Sequence, residues 1–260
     1  MFEGRKEEPL VSIITPLYNS EKYIEETIES VLNQAYKNWE MLIVDDCSKD
    51  NGVKIVNEYV LKDKRIKLFR NKKNLGGAET RNEAIKKAKG KYIAFLDSDD
   101  LWKKEKLILQ IEFMEKNDYT FTYTQYERID EKGKRLKLLS KIPKIITYKE
   151  MLKINPIGCL TAIYNQEKLG KIYLPNIKIG QDFALWLEIL KVSKLGYGLE
   201  ENLANYRYRI SSLSKDKKKK LFCIWEIYRK HNKQNIFNSI IYMTFNIIYS
   251  KFNLKMKKIN

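Results

Sequence analysis

The chain has 260 residues, 43 % of them hydrophobic, enough to bury a substantial core. Its one histidine, His231, argues against a Ser-His-Asp triad or a histidine-rich metal site. Cys47, Cys159 and Cys223 are odd in number and far apart, which argues against a disulfide framework. The net charge of +17 is uneven, because residues 215–260 hold 12 Lys/Arg against 2 Asp/Glu.

Charged residues crowd the first eight positions and Pro16 interrupts the first apolar run, so no signal peptide is expected. No run reaches the roughly 18 apolar residues of a membrane span. In chain order, Val11–Leu17, Glu40–Asp46, Ile66–Arg70 and Tyr92–Asp97 are short apolar runs that suit strands covered on both faces of a parallel sheet. Helical patterns lie between and after them, at Tyr23–Gln34, Val53–Leu61, Gly77–Lys89 and Lys103–Lys116. Four βα units in this order predict a doubly wound α/β domain. The pattern then loosens. Tyr119–Ile129 alternates like a strand, 131–134 reads as a hairpin turn, Cys159–Tyr164 as a strand and Phe183–Val192 as a helix. In the tail, Leu221, Trp225 and Tyr228, then Phe237, Ile241, Phe245, Ile248 and Phe252, recur at helical spacing.

Ligands bind outside the carboxyl ends of strands in open α/β sheets, and the polar residues fall there. Thr15, Tyr18 and Asn19 end the first strand, Asp45 and Asp46 the second, and Asp97, Ser98, Asp99 and Asp100 the fourth. Five crowded aspartates repel unless a cation or donor groups offset them, and oxygen ligands favour Mg²⁺ or Mn²⁺ over zinc. Each piece alone is equally a turn or helix cap. Arg81 shares a helical face with Ala78, Ala84, Ile85 and Ala88, so it should point at the sheet. Either Asp97 or a bound diphosphate could partner it. No glycine-rich phosphate loop of the kinase or dinucleotide-binding type is present.

Residues 11–19 (VSIITPLYN), 43–48 (IVDDCS) and 94–100 (AFLDSDD) resemble the family-2 inverting glycosyltransferases over residues 9 to about 210. Residues 155–161 and 181–187 are similar to the teichuronic-acid and capsular-polysaccharide branch. The resemblance implies a GT-A (nucleotide-diphospho-sugar transferase) fold, a Rossmann-like, mostly parallel sheet flanked by helices, followed here by a C-terminal helical tail. It divides the chain into a nucleotide-sugar-binding half (9–118), an acceptor-binding half of the same catalytic domain (119–214) and a basic amphipathic tail (215–260). It implies that Thr15 and Tyr18 line the nucleobase pocket, Asp46 accepts from the base, Asp97 contacts the ribose and Asp99 binds Mn²⁺ or Mg²⁺. Asp182 matches the general base, although its own sequence context equally suits a helix N-cap or first-turn acid. The family's usual Glu-Asp pair reads Gln181-Asp182 here, and Arg209 stands where the family often has His, which suggests a phosphate contact.

The expected activity is single-sugar transfer from a nucleotide donor, UDP by the resemblance, to an envelope-polysaccharide or lipid-linked acceptor. A sugar-phosphate nucleotidyltransferase and a basic nucleic-acid-binding protein are the alternatives. Acidic residues at the presumed cleft argue against nucleic acid as a partner. The tail suits an anionic membrane surface or packing onto the body. The expected location is cytoplasmic, or peripheral on the inner face of the cell membrane.

Overall fold

Strands β1 (Val11–Leu17), β2 (Trp39–Asp45), β3 (Ile66–Arg70) and β4 (Tyr92–Phe95) pair in parallel in the order β3-β2-β1-β4. The computed structural model describes residues 8–209, 217–251 and 256–259. Helices α1 (Ile24–Leu32), α2 (Gly52–Lys62) and α3 (Gly77–Lys87) make the crossovers. The strands are apolar throughout because both faces are covered. Ile13, Met41 and Ile43 pack with Ile24, Ile28 and Val56 on one side. Ile14, Leu42 and Val44 pack with Ala78, Ala84 and Ile85 on the other.

After β4 come β5 (Leu101–Trp102), α4 (Lys106–Asn117), β6 (Phe121–Ile129), β7 (Arg135–Ser140), β8 (Ile145–Thr147) and α5 (Tyr148–Lys153). Then follow β9 (Ile163–Asn165), α6 (Gln166–Leu169), α7 (Gln181–Ser193) and β10 (Leu195–Arg207). Antiparallel β9 joins β4 to β6, and β6 runs parallel to β10, so a single sheet continues through both halves. The strand expected over Cys159–Tyr164 needs correction. Cys159–Thr161 is a 3₁₀ turn, closed by the Thr161 amide on the Gly158 carbonyl (2.9 Å) and held by Trp102 Nε1 on the Leu160 carbonyl (2.8 Å).

The tail forms α8 (Lys217–Glu226), a π-turn (Ile227–His231), α9 (Ile236–Lys251) and β11 (Met256–Lys258). Ile224, Ile227 and Tyr228 are buried in the core beside α7, and Tyr228 Oη donates to the Leu152 carbonyl (2.7 Å). This part of the tail packs on the body. Phe252 and the serines at 212 and 214 lie outside the described residues. Among the described residues no helix is long and apolar enough to cross a membrane.

Candidate active site

The strand order reverses between β1 and β4, so the loops leaving them part at their carboxyl ends. A cleft of ≈ 2050 Å³ opens there. Tyr18, Asp46, Arg81, Asp97, Asp99, Asp182 and Arg209 all line it. Thr15 does not. Its side chain is fully buried, because period-two alternation puts it on the same face as Ile13 and Leu17, which pack against α1. Pro16 stands at the cleft wall instead.

The aspartates are paired by the protein itself. Asp45 accepts from the Ser48 amide (3.0 Å) and from Arg70 Nε (3.2 Å). Asp46 is buried and accepts from the amides of Leu75 (2.7 Å) and Gly76 (2.8 Å) and from Asn71 Nδ2 (2.8 Å). Gly76 has φ +83°, a conformation that side chains disfavour and that brings its amide to this carboxylate. Asp97 pairs with Arg81. Asp99 pairs with Arg209 Nε at 2.8 Å, and Asp100 accepts from the Arg207 amide at 2.8 Å. Donor groups therefore offset the crowding, and a cation is not required to relieve it.

Electrostatics still mark this corner. Burial, then the charge of Asp97, raises the Asp99 carboxyl above its ordinary range, with Arg209 opposing. Burial pushes Asp100 well above that range, helped by Asp99 and Asp97. Burial is the largest single effect on Arg81 and lowers its pKa, but the surrounding acidic groups, Asp97 first, together outweigh it and the pKa is raised. Cys159 also borders the cleft, yet burial and Asp97 push its thiol well up, which leaves it a poor nucleophile.

Asp182 occupies the second position of α7, and the N-cap is Gly180 at φ +79°. The capping alternative is thereby corrected to a first-turn acid. Its carboxylate accepts no hydrogen bond among the described residues, unlike Asp46, Asp97 and Asp99. The preceding Gln181 accepts from Arg81 Nη1 (3.1 Å) and donates to the Ile177 carbonyl (2.9 Å).

The sequence reading missed part of the wall. Tyr126 and Arg128 on β6 line the cleft, and so does Tyr206 on β10. Alternation was the available signal, since Tyr126 and Arg128 are half-buried while Gln125, Glu127 and Ile129 are buried. The tail closes another side through Phe222, Lys230 and Asn246.

No group of three or more His, Cys, Asp or Glu capable of holding a metal occurs among the described residues. Asp97 and Asp99 are nonetheless suitable. Mg²⁺ is commonly held by one or two carboxylates and completed by phosphate oxygens and water. An all-oxygen pair beside a cleft fits such a hard cation and does not fit zinc.

The glycosyl transferase family 2 model matches residues 12–171. The chain belongs to that family. This family-2 glycosyltransferase is 45 % identical over 222 residues to TuaG of Bacillus subtilis, a glycosyltransferase assigned by name to teichuronic acid biosynthesis. The alignment covers 85 % of this chain and 88 % of the relative. It is also 42 % identical over 221 residues to the Escherichia coli enzyme WfgD, a UDP-Glc:α-D-GlcNAc-diphosphoundecaprenol β-1,3-glucosyltransferase, covering 84 % of this chain and 85 % of that one. The GT-A fold of this glycosyltransferase is shared with S. aureus TarS bound to UDP-GlcNAc, with a TM-score of 0.70 and 22 % identity over 94 % of this chain and 73 % of that chain. It is shared too with the mannosyltransferase PcManGT of Pyrobaculum calidifontis bound to GDP-Man and Mn²⁺ (TM-score 0.69, 15 % identity, 91 % of this chain and 70 % of that chain).

Proposed function

We propose that this glycosyltransferase moves one sugar from a UDP-sugar to a hydroxyl of a cell-envelope or lipid-linked saccharide, with inversion at the anomeric carbon. The observation that carries the reading is Asp182, the cleft aspartate that has no hydrogen-bond partner among the described residues. The substrate classes are supported by WfgD, which uses UDP-Glc and a diphosphoundecaprenol-linked acceptor, and by TuaG, assigned to teichuronic acid biosynthesis.

Tyr18 is half exposed at the cleft and offers a face for the uracil ring to stack on. Asp46 has one acceptor site left after its three protein donors, enough for the uracil imide N–H. Asp97 would take a ribose hydroxyl. Asp99, with Asp97, would hold the divalent cation, which when bound offsets charge on the departing diphosphate. Arg209 and Arg81 supply further positive charge nearby.

In the transfer, the acceptor oxygen forms a bond to the anomeric carbon as the bond from that carbon to the diphosphate oxygen breaks. The electron pair leaves on UDP, and the hydroxyl proton passes to Asp182. A single displacement of this kind inverts the centre and needs no covalent enzyme intermediate. A positioned base is worth about 10²–10⁴-fold. Holding donor and acceptor in one cleft lowers the barrier further. The nucleotidyltransferase alternative gives way to the family match.

The test is turnover of UDP-, GDP- and dTDP-sugars with a GlcNAc-diphosphoryl lipid acceptor, with Mn²⁺, Mg²⁺ or EDTA. Metal-dependent release of UDP with a β-linked product is expected. Equal activity in EDTA would remove the cation, and retention of the donor's anomeric configuration would remove the single displacement.

A further inference from the structure

Helix α9 packs on the body through Tyr242 and Met243, with polar Ser239 and Asn246 buried on the same side, while Ile236, Phe237, Ile240, Phe245 and Ile248 are exposed. The exposure is substantial: Phe237 is 72 % and Ile240 53 % accessible. On a wheel of 100° per residue these positions fan over roughly half the circumference, opposite Ser239 and Asn246. No charged residue interrupts positions 236–250. A contiguous exposed apolar face of this kind marks an interaction surface.

The rotation of the helix is set from its buried side. Asn246 is buried beside the Tyr228 hydroxyl, and the Ser239 hydroxyl donates to the Asn235 carbonyl (2.7 Å). Tyr228 is itself anchored in the core. Rolling the exposed apolar face inward would pull Tyr242 and Met243 off the core, so the helix keeps its present rotation.

We propose that this face of α9 docks in the headgroup layer of an anionic lipid bilayer, lying parallel to the surface. Charge selects the occupant. No acidic residue follows Glu226, and positions 227–260 carry seven Lys/Arg. Exposed Lys233 precedes the helix, and exposed Lys257 and Lys258 follow it. Basic residues flanking an apolar face suit anionic headgroups. A second copy of this chain would bring two such basic tails together, and like charges would oppose the contact. Sixteen residues of helix extend about 24 Å, short of the roughly 30 Å hydrocarbon layer, so the helix lies on the bilayer and does not cross it. Asn246, on the opposite side of the same helix, lines the cleft, so docking would hold the cleft close to the membrane surface.

The test uses the full chain and vesicles of phosphatidylcholine with or without about one-third phosphatidylglycerol. Wild type should float with the anionic vesicles, and the triple variant F237S/I240S/I248S should bind them at least about tenfold more weakly. UDP binding and melting temperature should stay unchanged, since all three side chains are exposed. In a second measurement, Ile240→Trp should shift its fluorescence to the blue on anionic vesicles and be quenched by brominated acyl chains. Equal flotation of the triple variant, or no quenching in the tryptophan variant, would overturn the proposal. So would a wild-type dimer in solution that Phe237→Ser dissociates, because the face would then cover a second copy.

Discussion

Removing Arg209 should tighten the binding of free Mn²⁺, even though the residue is proposed for the donor site. Arg209 Nε sits 2.8 Å from Asp99 Oδ2, so a cation arriving without nucleotide must displace a guanidinium. At an effective dielectric constant near 20, unit charges about 4 Å apart interact by about 4 kcal/mol. The Arg209 side chain is 33 % exposed and that of Asp99 15 %, so solvent screening takes much of this, leaving about 1–2 kcal/mol. Arg209→Ala should then bind Mn²⁺ about 5- to 30-fold more tightly in the absence of nucleotide. With UDP present the sign should reverse. Diphosphate oxygens complete the cation's coordination, and the variant lacks a cation to meet the phosphate. Titration of free Mn²⁺ by electron paramagnetic resonance at pH 8, with and without UDP, reads both arms without any turnover. Unchanged or weaker Mn²⁺ binding by nucleotide-free Arg209→Ala would refute the competition.

Three further outcomes follow from other contacts. Asp182→Asn should keep its melting temperature, because Gly180 and not Asp182 caps α7, and should keep UDP-sugar affinity while transfer falls by about 10²-fold or more; near-normal transfer would move the base to another carboxylate. Asp46→Asn presents an amide to donors that now meet a carboxylate, so it should cost about 2–3 kcal/mol and lower the melting temperature by several degrees, and an unchanged melt would deny that Asp46 holds the 71–76 loop. Lys106 is fully buried, and burial drives its pKa well below the usual lysine value. The unfolded amine binds a proton at pH values where the folded one does not, so between the lowered folded-state pKa and about 10.4 its contribution makes stability rise with pH, by at most about 1.4 kcal/mol per unit. Urea unfolding from pH 7 to 10 should show that component in wild type and lose it in Lys106→Met; identical pH slopes would mean that Lys106 stays charged in the fold.

The first four strands were legible because a doubly covered strand must be apolar at every position, and few other contexts produce such a run. β10 was not. Its 13 residues include Gly196, Gly198, Glu200 and Glu201, and its pairing with β6 shifts register at Leu199/Asn202 and at Asn202/Ala204, so no period survives. Over Cys159–Tyr164 a short apolar run could not distinguish a strand from a 3₁₀ turn, because the side-chain bonds that close the turn come from distant Trp102 and from Thr161 itself. The site divides the same way. Its aspartates were visible as clusters at strand ends, whereas Arg128 and Tyr206 reach the cleft from strands whose placement depends on the β6–β10 pairing. Thr15 shows the opposite failure. Its motif suggested the pocket, but the alternation with Ile13 and Leu17 already pointed it toward α1.

The departure at Gln181 makes physical sense once Arg81 is placed. Arg81 reaches Asp97 on one side and Gln181 on the other, so a single buried guanidinium ties the strand-four aspartates to the helix that presents Asp182. A glutamate at position 181 would add a second carboxylate to that guanidinium and compete with Asp97 for its charge. It also could not donate to the Ile177 carbonyl, as the Gln181 amide does at 2.9 Å. Glutamine accepts from the arginine and donates to the backbone at once, which leaves the full charge of Arg81 to Asp97. The consequence for chemistry is positional. Asp182 follows Gln181 directly in the first turn of α7, so the bond from Arg81 fixes the start of that helix relative to Asp97. Asp182, the proposed base, and Asp97, proposed for the donor side, are thereby held in one frame by the bonds of Arg81 to Asp97 and Gln181.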